Sequence, residues 1–229
     1  MSQQAQWLRL LLPPSVAVVE TRQERPYPLY PQEQAFIAGA VAGRIREFTT
    51  VRWCADRALH DIGHRRPAQV PGPAGEPSWP PGVVGSMTHC RGYRAAAVAM
   101  ASDLDSIGID AEPDAALPAG VLEHVASARE KHLCERLASW SPGVSFDRLL
   151  FSIKECVFKA WFPCEGTWLD FEDAEVTISC DGRFTVCVRR SGNGLGPLSG
   201  RWLAERGLLV AALAVPSGDW ERARAGQDR

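Results

Sequence analysis

Two carboxylates close an apolar stretch in the middle of the chain, where Asp110 and Glu112 end the segment 106–112 just before Pro113. If this segment is a strand, its period of two places both acids on one face. Like charges this close repel each other, and a cation bound between them removes the repulsion. An ordinary polar strand end is the alternative, because exposed acids are common at protein surfaces. The pair therefore indicates a candidate metal site and leaves that alternative open.

A third carboxylate and a lysine share one turn of a later predicted helix. Glu155 and Lys159 are four residues apart, which makes them neighbours on a helix surface, and a simple ion pair between them is the alternative. With Asp110 and Glu112 they form a set of three carboxylates beside a cation. Magnesium in proteins takes one or two carboxylates together with phosphate oxygens and water, so this set suits a substrate that carries phosphate.

Two further segments have groups that bind anions. His89 follows the segment 85–88, whose backbone N–H groups and Thr88 hydroxyl can approach a phosphate. Residues 44–66 contain six arginines and three acids, a formal balance of 6 − 3 = +3, and guanidinium groups match phosphate through paired hydrogen bonds. A core histidine and a solvated helix face are the alternatives. Two anion sites beside a metal site predict a substrate with several phosphates, although no Walker or Rossmann glycine pattern occurs.

The composition excludes several classes of protein. The chain has 229 residues, of which 45% are hydrophobic and 23% charged, and its formal net charge is -2. These values predict a globular protein and give no support for a nucleic-acid or membrane-surface binder. Seven cysteines without a CxxC pair predict buried reduced thiols. The N-terminal apolar run is broken by Arg9, Pro13 and Pro14, so we expect no secretory signal and a cytoplasmic location.

The apolar periodicity predicts the elements that must position these groups. We expect an entry strand or strand pair at 7–19, a helix at 32–61 and a long loop at 67–82. Strands at 83–89 and 95–101 follow, and a turn at 102–105 returns the chain as a hairpin into 106–112. Helices are predicted at 121–140, with a capping box from Ser127 to Glu130, and at 146–162, where Pro163 ends the helix. Strands at 174–180, 183–189 and 208–215, a glycine-rich turn at 191–200 and a polar tail at 217–229 complete the prediction.

The two long predicted helices share a short similarity. Residues 52–59 align with residues 154–161, so that cysteine and alanine positions are identical and Arg52 coincides with Lys154. Both matches lie on a helix that a strand-rich segment follows. This similarity indicates two related halves.

Several motifs in order resemble the Sfp-type 4'-phosphopantetheinyl transferases, most closely the short actinobacterial and enterobactin synthetase component D-like branch. The matching segments are 51–55, Gly75-Glu76-Pro77 with Trp79-Pro80, 85–90, 92–96, 106–113, Lys154-Glu155 with 159–163, and 168–174. They span about residues 44–215. The G-I-D-A-E and K-E-x-x-x-K-A signatures are specific together, although either alone is weak.

The resemblance implies an α+β fold of two similar subdomains related by a pseudo-twofold, with coenzyme A in the cleft between them. We expect an N-terminal subdomain at 1–105, a C-terminal subdomain at 106–216 and a tail at 217–229. The implied reaction transfers the phosphopantetheinyl arm of coenzyme A to a serine of an acyl or peptidyl carrier protein and releases adenosine 3',5'-bisphosphate. A monomer that binds its carrier protein transiently is expected.

The resemblance also implies roles for individual residues. Asp110, Glu112 and Glu155 would hold Mg²⁺, or Mn²⁺ as the alternative metal. Glu155 would be the general base, and Lys159 would neutralise the pyrophosphate. The predicted coenzyme A-binding residues are Arg44, Arg52, Thr88, His89, Lys154, Phe158 and Trp168, of which the two aromatic residues would line the pantetheine channel or belong to the core.

One segment departs from the family. Related proteins often have a lysine before the Gly75-Glu76-Pro77 motif, and here that segment reads Val70-Pro71-Gly72-Pro73-Ala74. Arg65 or Arg66 is the candidate substitute. Two other functions remain open from the residues alone, namely a Mg²⁺-dependent phosphoesterase and a non-catalytic coenzyme A or carrier-protein binding module.

Overall fold

In a computed structural model of the chain, which describes residues 6–190 and 194–225, helices alternate with antiparallel strands. The elements in chain order are α1 (Trp7–Leu11), β1 (Ala17–Thr21), α2 (Pro31–Ile37), α3 (Ala42–Asp61), β2 (Val83–Cys90), β3 (Tyr93–Met100), β4 (Leu104–Pro113), α4 (Val121–Val125), α5 (Ala128–Trp140), α6 (Phe146–Glu165), β5 (Ala174–Ser179), β6 (Arg183–Val188), β7 (Leu195–Glu205), β8 (Leu208–Pro216) and α7 (Asp219–Ala225). The predicted α+β class is confirmed.

The strands form two antiparallel sheets, each covered by one long helix. The first sheet has the order β1-β3-β2 and packs against α3, and the second has the order β4-β8-β7-β6-β5 and packs against α6. The sheets meet where β2 lies beside β4. There Ser86 and Thr88 accept hydrogen bonds from the backbone N–H groups of Ile109 and Ala111, each at 3.1 Å.

The hydrophobic core continues from one sheet to the other. One buried cluster combines Trp7 of α1, Tyr93 of β3, Ile107 of β4 and Val210 of β8. Apolar area shared in this way stabilises both sheets together. The expected boundary at residue 105 therefore stays a prediction. None of the helices in the described ranges is long and apolar enough to cross a bilayer.

The predicted hairpin between 95–101 and 106–112 is wrong. Strand β3 already has β1 on one edge and β2 on the other, so neither edge is open to β4. Strand β4 pairs with β8 instead, with Asp110 opposite Ala211. Thr88 and Asp110 nevertheless lie within hydrogen-bond distance, because β2 and β4 lie side by side at the junction of the sheets.

Four other boundaries differ from the prediction. The segment 7–19 is a short helix followed by a strand, and much of the expected turn at 191–200 belongs to β7, although residues 191–193 lie outside the described part. The expected tail contains α7, whose Trp220 is buried, and residues 226–229 also lie outside the described part. Helix α6 continues past Pro163 to Glu165, and the residue that caps it is Gly166, whose φ of 62° suits a residue without a side chain. The loop at 67–82 is confirmed, because it contains no helix or strand.

Each half contains a buried acid at the third position of a short helix. Glu33 of α2 accepts backbone hydrogen bonds from Tyr30 and Gln69, and Glu130 of α5 accepts them from Ser127 and Val176. The acid thereby caps its own helix and fixes a distant segment. Glu33 lies near Arg52, and Glu130 lies near Lys154. These two basic residues begin the similar eight-residue segments of α3 and α6, in agreement with two related halves.

The packing of β4 against α6 depends on Gly108. A Cβ atom at this position would lie 1.9 Å from the carbonyl oxygen of Cys156. The Cys156 thiol donates to the Gly108 carbonyl at 3.1 Å, and the Ser106 hydroxyl donates to the Ala160 carbonyl at 2.7 Å. The absence of a side chain therefore lets the strand and the helix approach at backbone distance.

We expect Gly108→Ala to lower the free energy of unfolding by roughly 3 kcal/mol, because α6 must move away from β4 to admit the methyl group. Chemical denaturation measures the loss. Gly43→Ala on α3 is the matched control, since no atom lies within 4 Å of its added Cβ, and it should raise stability by up to about 1 kcal/mol. Equal stability of Gly108→Ala and the parent protein would contradict the close approach.

Candidate active site

A cleft between α3, β2 and α6 contains most of the charged residues singled out from the sequence. Its empty volume is about 970 Å³, and the loop 71–77 forms one wall. The side chains that define its chemistry are Arg44, Phe48, Arg52, Met87, His89, Glu155, Phe158, Lys159 and Phe162. With Glu76 of the loop wall, the cleft thus combines cations, two carboxylates and an aromatic wall.

Asp110 is held in place by three side chains at the base of this cleft. The residue is only 5% exposed. One carboxylate oxygen accepts from Lys159 Nζ at 2.6 Å and from the Thr88 hydroxyl at 3.3 Å, and the other accepts from the Ser152 hydroxyl at 2.8 Å. These hydrogen bonds fix the orientation of the carboxylate and balance its charge.

The predicted carboxylates influence one another electrostatically. Burial, followed by the charge of Asp110, raises the pKa of Glu112, although Arg148 Nη1 donates to it at 3.1 Å. Burial also raises the pKa of Glu155, where Lys159 opposes the effect and the two other acids add to it. A cation near all three would reduce the repulsion between these carboxylates. Carboxylate oxygens are the ligands that magnesium prefers.

The three acids are nevertheless not arranged as a complete metal site. Within residues 6–190 and 194–225, no three side chains of the metal-binding types stand close enough together to hold an ion. Lys159 and Arg148 are the present partners of Asp110 and Glu112. The magnesium site therefore stays a prediction, supported by the donor chemistry.

Lys159 is the cation nearest to the acids. Its ammonium also donates to the Ile109 carbonyl at 3.2 Å. Burial lowers its pKa, but the Asp110 carboxylate outweighs burial, so the pKa is raised overall. The lysine therefore remains charged at neutral pH.

His89 and Arg44 form the mouth of the cleft. Arg44 Nη1 contacts His89 Nε2, and because guanidinium can only donate, this ring nitrogen must accept. Partial burial, helped by the charge of Arg44, lowers the pKa of His89 to about 4. The ring is thus neutral at neutral pH, with its other nitrogen, Nδ1, carrying the hydrogen.

Arg52 lies deeper, with its guanidinium stacked 3.2 Å from the centroid of the Phe48 ring. It is 5% exposed and donates from Nη2 to the Gln69 carbonyl at 2.7 Å. Its Nε atom is buried without a hydrogen-bond partner. Burial lowers its pKa to about 9, which still leaves it charged at neutral pH.

The two predicted aromatic residues contact each other at the other end of the cleft. The rings of Phe158 and Trp168 are 4.9 Å apart, and Trp168 is 60% exposed. A second cavity lined by both residues shares Glu155 with the main cleft. The two cavities therefore adjoin at the carboxylate predicted to act as general base.

Lys154, predicted to bind coenzyme A, borders the second cavity but has protein partners for its ammonium. Its ammonium donates to the carbonyls of Val125 and Phe171, each at 2.8 Å, and to Glu130 at 2.9 Å. All three N–H donors are used, so none is left for coenzyme A. Lys154 is the structural counterpart of Arg52 in the second half of the chain.

Two other candidate residues also have partners within the chain. The Thr88 hydroxyl donates to Asp110 and accepts from the backbone, so in this structure it positions the carboxylate, and its contact with a phosphate stays a prediction. Arg66 is committed to Glu33 by contacts from both terminal nitrogens. Arg65 is exposed and does not line the cleft. Neither arginine therefore replaces the missing lysine.

Sequence reasoning missed Ser152 and Arg148. Both lie on the face of α6 that also presents Glu155 and Lys159, at spacings of three and four residues. Polar residues at this spacing on a largely apolar helix were a signal that could have identified them.

The fold and the cleft define an α+β protein suited to phosphoryl transfer, with Glu155, Lys159 and two arginines lining one cleft. Residues 32–99 match the 4'-phosphopantetheinyl transferase N-terminal domain family, and residues 106–212 match the 4'-phosphopantetheinyl transferase superfamily. Together these matches cover most of the chain.

Three relatives are similar over most of their length. The 4'-phosphopantetheinyl transferase Svp of Streptomyces mobaraensis is 48% identical over 206 residues, which cover 86% of this chain and 84% of the relative. PptT of Mycobacterium tuberculosis is 43% identical over 81% of this chain and 85% of the relative. Npt of Nocardia iowensis is 41% identical over 86% of this chain and 96% of the relative.

The chain therefore belongs to the 4'-phosphopantetheinyl transferase family. The predicted transferase activity is confirmed, and the phosphoesterase and binding-module alternatives are not favoured. The family acts on coenzyme A and carrier proteins.

The geometry at the cleft mouth predicts that His89 does not titrate between about pH 5.5 and 8, because its pKa is lowered from 6.5 to about 4. Arg44→Gln should raise this pKa by removing one repelling charge. NMR titration of the ring measures both values. Arg46→Gln, which removes an exposed arginine paired with Glu24, should leave the titration unchanged. A midpoint near 6.5 in the parent protein would contradict the contact.

The contacts of Lys154 give a second prediction. Lys154→Met leaves the Glu130 charge buried without its cation, so we expect stability to fall by about 3–5 kcal/mol. The KM for coenzyme A should not change in the protein that remains folded. Lys131→Met, at the neighbouring half-buried lysine, should alter both quantities little. A stable variant with a raised KM would return Lys154 to the substrate site.

Proposed function

We propose that this chain transfers the 4'-phosphopantetheine moiety of coenzyme A to a serine hydroxyl of apo acyl or peptidyl carrier proteins, within the cleft described above. The observation that carries the proposal is the position of Glu155 and Lys159 beside Asp110, in a cleft that Arg44 and Arg52 also line. A molecule with a pyrophosphate at one point and a further phosphate some distance away matches this arrangement of charge.

Asp110, Glu112 and Glu155 are the residues that would hold Mg²⁺, or Mn²⁺ as the alternative. When bound, the ion supplies positive charge to the pyrophosphate oxygens. The raised pKa values of Glu112 and Glu155 are compatible with this assignment, since burial first and the neighbouring acids second disfavour their ionised forms, and a bound cation would favour those forms. Ser152 and Thr88 would keep Asp110 in a single orientation.

Glu155 is the proposed general base. Among the three acids it alone lines both the main cleft and the adjoining cavity. Burial makes its carboxylate a better proton acceptor. It would take the proton of the carrier serine as the serine oxygen bonds to the phosphorus next to the pantetheine arm.

Lys159 would stabilise the leaving group. As the new P–O bond forms, the bond from that phosphorus to the bridging oxygen breaks, and adenosine 3',5'-bisphosphate leaves with the bridging oxygen and its negative charge. The ammonium, 2.6 Å from Asp110, faces the same cleft. Charge neutralisation and positioning of this kind supply most of the catalysis in phosphoryl transfer.

Arg44, Arg52 and His89 are the proposed ligands of the coenzyme A phosphates. The two arginines would clamp the 3'-phosphate, and the neutral His89 ring would donate from Nδ1 to a phosphate oxygen. Phe158 and Trp168 would line the path of the pantetheine arm, supported by the cavity that they border. A monomeric, cytoplasmic enzyme with an N-terminal unit at 1–105 and a C-terminal unit at 106–216 is part of the same proposal.

The decisive experiment incubates the protein with apo carrier protein, coenzyme A and Mg²⁺ and measures the mass of the carrier. The parent protein should add one phosphopantetheinyl group. Glu155→Gln should reduce the rate at least about 100-fold, because a general base typically contributes that much. Glu135→Gln, at an acid that is 78% exposed on α5, is the control and should react normally.

Two outcomes would refute parts of the proposal. No mass gain with several carriers, together with hydrolysis of simple phosphoesters, would replace the transferase with a phosphoesterase. A fully active Glu155→Gln variant would retain the transferase and remove the assigned base.

A further inference from the structure

The two buried acids hold their basic partners differently. In the second half, Glu130 accepts directly from Lys154 at 2.9 Å, and the lysine is fully satisfied. In the first half, the corresponding distance from Arg52 Nε to Glu33 is 3.9 Å, too long for a hydrogen bond. The first half therefore leaves its basic residue without the acid that the second half provides.

Arg66 explains the difference. Its two terminal nitrogens contact the two oxygens of Glu33, with Nη2 to Oε2 at 3.2 Å. The backbone N–H groups of Tyr30 and Gln69 add one further donor to each oxygen. Glu33 thus accepts four hydrogen bonds at 0% exposure and has no need of Arg52.

Arg52 is left oriented by weaker contacts. One nitrogen donates to the Gln69 carbonyl, the ring of Phe48 supports the guanidinium, and Nε is buried without a partner. The residue still lines the cleft. A buried guanidinium with unused donors beside a cavity favours an anionic ligand.

We propose that Arg66 is a positioning residue that occupies Glu33 and so reserves Arg52 for the terminal 3'-phosphate of the substrate. This inference rests on the proposed coenzyme A site. Without Arg66, the nearest cation to the buried Glu33 charge is Arg52, which would move onto the acid and away from the cleft. Arg66 would then set the preference for a substrate with a 3'-phosphate without touching the substrate.

The test compares coenzyme A with 3'-dephospho-coenzyme A as substrates of the full-length protein. The parent enzyme should have a lower KM for coenzyme A. In Arg66→Met the KM for coenzyme A should rise about tenfold, as expected for a lost charge-assisted hydrogen bond. The KM for the dephospho substrate and the kcat with either substrate should stay the same, which a general structural defect would not reproduce.

Two more variants sharpen the result. Glu33→Gln combined with Arg66→Met removes the charge that would capture Arg52, so the preference for coenzyme A should return. Arg65→Met, at the exposed neighbouring residue, should leave the preference unchanged. If Arg66→Met does not fold, Arg66→Lys decides, since it keeps the charge but frees one Glu33 oxygen, and it should show an intermediate preference.

The failures are distinguishable. A parent enzyme that transfers the arm but uses both substrates equally would overturn the phosphate role of Arg52, and this inference with it. An unchanged preference in folded Arg66→Met or Arg66→Lys, or an equal rise in KM for both substrates, would overturn the inference alone. Absence of any transfer by the parent enzyme would refute the proposed function itself.

Discussion

The backbone contact between β4 and α6 is the constraint on which the catalytic end of the cleft depends. Gly108 allows the strand to approach the Cys156 carbonyl at a distance that no other residue permits. One strand period further along, Asp110 then lies within 2.6 Å of Lys159 and 2.8 Å of Ser152, both on the same helix. The glycine in the G-I-D-A-E signature is therefore a packing requirement, and the acids follow from it geometrically.

A second constraint is the buried acid that occurs once in each half, Glu33 and Glu130. The two acids differ in which basic residue neutralises them. Lys154 donates all three of its hydrogen bonds to Glu130 and two carbonyls. Arg52 makes no hydrogen bond to Glu33, whose charge is paired with Arg66 instead. Burying a charge is costly unless it is paired, so each copy must be neutralised. The first copy is neutralised by a residue from outside the repeat, and this leaves the Arg52 guanidinium facing the cleft.

Periodicity in the sequence predicted the features that depend on local geometry. It placed Asp110 and Glu112 on one strand face, identified α6 and recognised the irregular loop at 67–82, but it predicted α2 and α3 as a single helix at 32–61. The hairpin into β4 failed, because strand pairing is decided by which sheet edges are free, and that depends on β1, about 80 residues earlier in the chain. The partners of Lys154 could not be predicted for a similar reason, since its spacing from Glu155 does not reveal that Glu130 and the carbonyl of Phe171 lie on its side of the helix.

The charge distribution supports the proposed additional cation beside Asp110. Three carboxylates, Asp110, Glu112 and Glu155, face two cations, Lys159 and Arg148, so one negative charge remains unbalanced. Burial is the main cause of the raised pKa values of Glu112 and Glu155, and repulsion from the neighbouring acids adds to it. A divalent ion would reverse the sign of this excess and make the same site attract a pyrophosphate. The proposed metal would thus convert an acidic pocket, which repels the substrate, into one that binds it at the atoms where the new bond must form.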